Sequence, residues 1–453
     1  MINRFFKIRE NNSTITREAV GGITTFMTMC YILFVQPAVL AACGMDSASV
    51  FVATCISSAI ATLTMGFLAN YPIALAPAMG HNFYFAFVAV PLIAAKLGEG
   101  SPHSAWAVGL GAVCISGILF IALSFFGIRE TIVNAIPSSL KNAIAVGIGL
   151  LIALVGFEWS GIIESNPGTL LALTSFKSAS SYTYLSVFGL IVMAVLAVMG
   201  VRGSILIGII CTMTAGIATG LIPYHGLVTA DIPSIAPTFF KLDIIGAIKV
   251  GIPVIIFVFF FLDLFDTIGT LIGVSEQAGF IREDGTLPRA SKALLSDAIG
   301  TVTGAVCGTS TVTSYIESAA GISSGARTGL ANIVTGILML LALFFSPLVE
   351  MIGIGIHRAD SITLYPVIAP ALIMVGFMMM RNIVRIEWDK PAEALASFFT
   401  LIIMPFGFGI TEGISFGFIS YAVFKTAVRQ WRDVHPVLYI FALLFILRYI
   451  IAG

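Results

Sequence analysis

Two aspartates, Asp263 and Asp266, stand inside the apolar stretch FFFLDLFDTIGTL, Phe259 to Leu271. A carboxylate in hydrocarbon costs roughly 2.5–3.5 kcal/mol on insertion scales, and it defaults to facing a polar cavity or a pathway. Residues three apart project from nearly the same face of a helix. Thr267 and Thr270 carry that polar face a further turn. We read the face as half of a substrate or ion site. The blander reading is an aspartate that only hydrogen-bonds a neighbouring helix or a cap. A further central acid is Glu317, in SYIESAAG. Its plain alternative is a helix-start carboxylate that satisfies backbone N–H groups. Together these acids can accept hydrogen bonds from ring N–H groups, and any of Asp263, Asp266 and Glu317 can carry a coupled proton.

Two irregular stretches must position the acids. ALAPAMGHN is interrupted by glycine and proline, and GTSTVTSYIE is too rich in Thr and Ser for a lipid-facing helix. Thr309–Ser314 is β-branched, and Ile73–Ala78 is extended by Pro72 and Pro77, so each is expected to be a short strand leading into a half-helix. Non-helical backbone at membrane depth is tolerated only where it is paired or lines a cavity. The half-helices are expected to begin near Asn82 and near Ser314–Glu317, with free N–H groups facing the centre. A planar ligand with acceptors and N–H donors fits such a place. Backbone N–H groups donate to its carbonyls or ring nitrogens, carboxylates accept from its N–H groups, and Phe83, Phe85 or Phe87 stacks on its face. An anion fits less well, because no Arg or Lys lies mid-membrane there. Asn82 is read either as a ligand contact or as a pin for the broken backbone. His81 is read as a packed group or as a contact for ligand or proton.

Composition sets the class. The 453 residues are 58% apolar and 10% charged, where a soluble protein is nearer one quarter charged. Long apolar runs make this an all-α polytopic membrane protein, and their continuity argues against a barrel. Net charge is zero, and no basic stripe suggests nucleic acid. Cys30, Cys43, Cys55, Cys114, Cys211 and Cys307 lie in or beside apolar runs and read as small buried hydrophobes. Neither a metal site nor a cofactor is expected. The absence of HExxH, GxSxG and Walker sequences argues against an enzyme. No cleavable signal is apparent, so the first span is expected to direct insertion.

Fourteen spans are read at Thr16–Ala42, Val50–Asn70, Ile73–Ala95, Ala105–Gly127, Thr131–Phe157, Tyr182–Gly200, Ser204–Ile222, Ala247–Val274, Ala290–Cys307, Thr309–Gly325, Thr328–Val349, Thr363–Met380, Glu393–Ile410 and Gly413–Val428. A further run, Val437–Ile451, is either a fifteenth span or an interfacial helix. Arg4, Lys7, Arg9 and Arg17 precede the first span. Arg129, Arg202, Arg282, Arg289, Lys292, Arg327, Arg381, Arg385, Lys425, Arg429 and Arg432 all fall after even-numbered spans. The positive-inside rule therefore places the N-terminus in the cytoplasm. Residues 1–15 read as a cytoplasmic arm, 16–222 and 247–428 as two seven-helix repeats, 223–246 as an external linker, and 429–453 as a basic loop with an apolar helix. Seven spans per half is odd, so the repeat is inverted across the membrane, and the broken segments three and ten occupy corresponding positions.

The stretches TREAVGGITTFMTMCYILFVQP, FVATCISSAIATLTMGFLANYPIALAPAMGHNFYFAF, FGIRETIVNAIPSSLKNAIAVGIGL, DLFDTIGTLIGV, GTSTVTSYIESAAGISSGARTGL and APALIMVG carry a resemblance over nearly the whole chain. They resemble the AzgA-like branch of the nucleobase–cation symporter-2 family, the adenine, guanine and hypoxanthine permeases. The resemblance implies a 7+7 inverted repeat, with spans one to four and eight to eleven as a core moving against a gate of spans five to seven and twelve to fourteen. It implies proton-coupled purine uptake across the inner or plasma membrane, often by a homodimer. It places base binding on Asp263 and Glu317, assigns importance to Asp266, and puts the polar span-three residue at Asn82 beside Gly80. Departures fall at the same pocket: Ala78 stands where the family has Gly, His81 where it has an apolar residue, and Phe83 where it has Ala. The segment Gly353–Tyr365, with HRADS, departs as well.

The reading is a purine:proton symporter. Its substrate contacts are Asp263, Glu317, Asn82, Phe83, Gly80, His81 and Thr267. The alternatives are a permease of the same fold for xanthine or uracil, and a channel or anion transporter of related architecture.

Overall fold

A computed structural model describes residues 2–98, 104–126, 136–250 apart from 167, 176 and 178, 253–282, 287–357 and 363–452. Arg129, His103, the start of the fifth span at Thr131 and most of HRADS lie outside these residues. In chain order the main elements are α1 (Ile15–Met29), α2 (Ile32–Ala41), α3 (Ser47–Leu68), β1 (Leu75–Pro77), α4 (Met79–Tyr84), α5 (Val90–Leu97), α6 (Ala105–Phe126) and α7 (Ser138–Trp159). Then come β2 (Ile163–Asn166), β3 (Leu170–Leu173), α8 (Ser181–Val198), α9 (Ser204–Ala218), α10 (Ile244–Lys249), α11 (Pro253–Ala278), α12 (Ala290–Cys307), β4 (Val312–Ser314) and α13 (Ser318–Ser323). The chain closes with α14 (Gly329–Leu341), α15 (Ser346–Ile352), β5 (Ile356–His357), β6 (Thr363–Leu364), α16 (Ala369–Met380), α17 (Pro391–Phe406), α18 (Ile410–Ala427) and α19 (Pro436–Ala452). Eight helical segments among the described residues are long and apolar enough to cross a membrane, and three shorter apolar helices accompany them.

The chain forms two compact units. The first holds residues 1–125 and 179–368. At its centre β1 and β4 run antiparallel, with Leu75 opposite Ser314 and Pro77 opposite Val312. Both extended segments expected from the sequence therefore form, and they satisfy one another. Thr62 of α3 closes the free edge at Leu75, donating to its carbonyl at 3.0 Å and accepting from its N–H at 2.9 Å. Asn332 of α14 donates to the carbonyls of Ile73, at 2.7 Å, and Thr62, at 3.2 Å. Polar side chains thus replace the hydrogen bonds a longer sheet would supply, as buried backbone requires. The approach of α3 to α14 is set by glycine. A Cβ on Gly329 would lie 2.2 Å from the Gly66 carbonyl oxygen. The start of α14 is capped from α1, where Glu18 accepts from the N–H groups of Arg327 at 3.0 Å and Thr328 at 3.1 Å.

The half-helices start differently from the sequence expectation. The helix after β1 begins at Met79 rather than near Asn82, because Ala78 already donates its N–H to Thr311 and accepts from the Asn82 N–H. It passes through a wider π turn at Phe85–Ala89 into α5. The eighth span begins at Pro253, later than Ala247, after the separate short helix α10. The pair β5–β6 and the hairpin β2–β3 were not anticipated.

The second unit holds residues 126–178 and 369–453. Helix α7 lies against α16 and α17. Small residues permit the contact: a Cβ on Gly376 would lie 2.5 Å from the Gly149 carbonyl. The pair α17–α18 carries a buried ion pair between Glu393 and Lys425 at 3.2 Å, with the Tyr421 hydroxyl donating to Glu393 at 3.0 Å. Here the grouping differs from the division implied by the resemblance. Helices α8 and α9, spans six and seven, fall in the first unit rather than with the fifth span. The contacts show why: Ser186 of α8 donates to the Pro366 carbonyl at 3.2 Å, α9 lies against α1, and Arg202 just before α9 donates to Ser324 at 2.6 Å.

Candidate functional site

Helix α11 presents Asp263, Asp266 and Thr267 as the three- and four-residue spacing requires. Asp263 is fully buried and accepts from the Thr301 hydroxyl of α12 at 2.9 Å. Asp266 is the open member of the pair, with 46% of its side chain exposed. Thr267 is buried and turns inward. Its hydroxyl donates to Asp297 at 2.6 Å and lies 2.8 Å from the Thr313 hydroxyl.

Asp297 is a carboxylate of the candidate site that the sequence reading did not single out. It is fully buried on α12. Besides Thr267 it accepts from Thr313 Oγ1 at 3.0 Å and from Ser314 N and Oγ at 2.8 and 2.9 Å. One carboxylate therefore holds the polar face of α11 and both polar residues at the end of β4. Hydrogen bonds to a charged acceptor contribute roughly 1.5–3 kcal/mol each net. The signal was present as a carboxylate inside the span Ala290–Cys307, but it has no partner acid at helical spacing.

Glu317 does not serve its own helix. It occupies the residue before α13, yet its side chain makes no capping hydrogen bond. It accepts instead from the Tyr31 hydroxyl at 2.7 Å, in the break between α1 and α2. The helix-start alternative is thereby replaced by a contact between distant elements. Tyr315, just after β4, donates to the Pro77 carbonyl at 2.5 Å.

Gly80, His81, Asn82 and Phe83 all lie on α4, and all are buried. Asn82 Oδ1 accepts from the Ser310 hydroxyl. Among the described residues Asn82 Nδ2 and both ring nitrogens of His81 have no hydrogen-bond partner. Asp266 Oδ2 lies 3.9 Å from His81 Nδ1. Phe83 stacks on Phe87 with centroids 5.5 Å apart, and Phe85 is buried against Phe259. Phe83 is thus packed within the unit. The fold brings Asp263, Asp266 and Thr267, Glu317, and His81 and Asn82 onto elements that meet around one strand pair. Among the described residues no group of three His, Cys, Asp or Glu side chains could hold a metal ion.

Carboxylates, amides and hydroxyls without a fixed cation can pair with a neutral, hydrogen-bonding solute and can bind a proton. The model of the Permease family matches residues 16–416. The chain belongs to the Permease family. The permease is similar to the adenine permease AdeP of Escherichia coli (strain K12), with 42% identity over 99% of this chain and 96% of the relative. It is similar to the guanine/hypoxanthine permease PbuG of Bacillus subtilis (strain 168), with 43% identity over 98% of this chain and 99% of the relative. In structure the permease resembles the transmembrane domain of the cyanobacterial bicarbonate transporter BicA, with a TM-score of 0.65 over 88% of this chain and 97% of that one. It also resembles SLC26A9, with a TM-score of 0.64 over 92% and 66%. Sequence identities to these two are 13% and 9%, so they establish the fold alone. The permease is a multi-pass membrane transporter rather than an enzyme.

Proposed function

We propose that this permease imports purine nucleobases together with protons. The observation that carries the reading is the similarity at 42% and 43% identity, over nearly full length, to permeases named for adenine and for guanine/hypoxanthine. The site is of the matching chemistry. Asp263 and Glu317 accept from ring and exocyclic N–H groups of the base. Asn82 donates to it, Gly80 lets the backbone approach, and Thr267 holds the polar face in place. His81 touches the base or its proton, and the face of Phe83 contributes apolar contact. Asp263, Asp266 and Glu317 are the acids through which protonation is coupled to binding, since a membrane-embedded carboxylate changes its cost most when it is neutralised.

The same proposal includes fourteen spans in two inverted repeats of seven. The antiparallel pairing of β1 with β4, one broken segment from each half, supports it. It also includes a cytoplasmic N-terminus, a site in the cell membrane and assembly as a homodimer. A binding panel on the purified protein tests the substrate class, using thermal shift with adenine, guanine, hypoxanthine, xanthine, uracil and sulfate. Stabilisation by one or more of the first three is expected. Silence from every base with a response to sulfate would overturn the reading. Proton coupling is tested separately, by abolishing uptake with a protonophore.

A further inference from the structure

Gln36, next to Pro37 in α2, begins a directed chain of hydrogen bonds. Its Nε2 donates to Thr309 Oγ1 at 2.7 Å and to Ser310 Oγ at 3.3 Å. Ser310 Oγ in turn donates to Asn82 Oδ1. All three side chains of the chain Gln36–Ser310–Asn82 are fully buried. A hydroxyl owns one hydrogen and two lone pairs. Gln36 occupies one lone pair of the Ser310 hydroxyl, and in this arrangement the Ser310 hydrogen is directed to the Asn82 carbonyl. The Asn82 carbonyl is thereby held toward Ser310. Its amide nitrogen is turned away, carrying two hydrogens that meet no partner among the described residues. A buried donor of this kind is costly until a ligand meets it.

We propose that Gln36 is a positioning residue for base recognition. Through Ser310 it fixes Asn82 as an N–H donor toward the base, so that the site favours 6-oxopurines over adenine. The carbonyl of an oxopurine accepts at the position where the exocyclic amine of adenine donates. The proposal rests on the reading that Asn82 faces the base. A reversed amide would favour the opposite class, and the direction of the amide is set by residues that do not touch the ligand. Selectivity is steep when a buried polar group is left unpaired by the wrong ligand.

The test is the ratio of hypoxanthine to adenine affinity, measured by isothermal titration on the full-length purified protein. The wild type is expected to bind hypoxanthine at least about tenfold more tightly. Gln36→Leu and Ser310→Ala each release the Asn82 amide, and each is expected to bring the ratio to within about threefold of unity. The double variant is expected to go no further than either single, because both break one chain. Thr309→Val removes the other partner of Gln36 and is expected to leave the ratio unchanged. Should Gln36→Leu fail to fold, Ser310→Ala reports on the same link. A wild type that prefers adenine overturns the proposal. So do single variants that weaken both bases equally, for then Gln36 only supports the fold. Asn82→Ala separates the levels: wild-type affinity for both bases in that variant overturns the underlying contact rather than the chain that orients it.

Discussion

Thr267 and Asp297 are joined by a 2.6 Å hydrogen bond that ties α11 to α12. The same carboxylate binds Thr313 and Ser314. Because Asp263 and Asp266 lie on the helix that this bond holds, the rotation of α11 and the position of β4 are set by one group. Asp297→Asn keeps the shape but puts an amide among four donors. At least one donor is then left buried and unpaired, at a cost of about 1–3 kcal/mol. We expect a lowered melting temperature together with base affinity at least tenfold weaker. Unchanged values for both in thermal-shift titrations would remove Asp297 from the support of the site.

Asp263→Asn should behave differently. Its observed bond is accepted from Thr301 at 2.9 Å, and an asparagine carbonyl accepts that bond equally well. Expression and melting temperature should stay near wild type while purine binding falls at least a hundredfold, as expected when a charged acceptor is lost opposite ligand N–H groups. Tight binding retained by this variant moves the site elsewhere.

The difference between these two aspartates shows what the sequence can reveal. Asp263, Asp266 and Glu317 were legible because carboxylates in long apolar runs are conspicuous. The strand pair was legible because TSTVT and the prolines around Ile73–Ala78 resist helix. Asp297 and Gln36 were not singled out, although both sit in spans that were read. Their roles depend on β4, which reaches Asp297 from 17 residues away and lies 273 or more residues from Gln36 in the segment just before it. The grouping of α8 and α9 with the first unit was hidden for another reason. In lipid, packed and lipid-facing surfaces are both apolar, so hydropathy does not say which helices touch.

Glu317 links the break between α1 and α2 to the start of α13 through Tyr31. If it carries the coupled proton, wild-type uptake rises as external pH is lowered and falls as it is raised. Glu317→Gln mimics the protonated acid at every pH. It should weaken base binding, as loss of a charged acceptor does at Asp263, and the uptake that remains should lose its pH dependence, while Tyr31→Phe should retain the dependence with altered midpoint. A Gln variant whose uptake still follows external pH as the wild type does takes Glu317 out of the coupling.

His81 lies 3.9 Å from Asp266 and has no hydrogen-bond partner on either nitrogen among the described residues. A buried imidazole in that position is costly unless a ligand or proton completes it. His81→Leu removes the cost of the buried, unpartnered ring nitrogens. The melting temperature is therefore expected to hold or rise, and the order of affinities across adenine, guanine, hypoxanthine and xanthine is expected to change. A stable variant with an unaltered order makes His81 a packing residue.

The C-terminal helix offers a prediction about topology. Along α19 the contacts with α18 run in opposite directions: Tyr439 lies 3.0 Å from Thr426, Phe441 and Phe445 pack on Phe418, and Arg448 donates to Glu412 at 2.6 Å. The two helices are thus antiparallel over essentially their whole lengths. At 1.5 Å per residue the 17 residues of α19 span about 26 Å, close to the ~30 Å of a hydrocarbon core. An interfacial helix would lie across the end of α18 and could not reach Glu412 from Thr426. If α18 crosses, α19 crosses beside it and returns the chain to the other face. A tag fused after residue 453 should therefore be labelled by an impermeant reagent on intact cells, while one at the N-terminus needs permeabilisation. Labelling of both tags only after permeabilisation would place α19 within the membrane surface and leave the fourteen spans of the two repeats without a fifteenth.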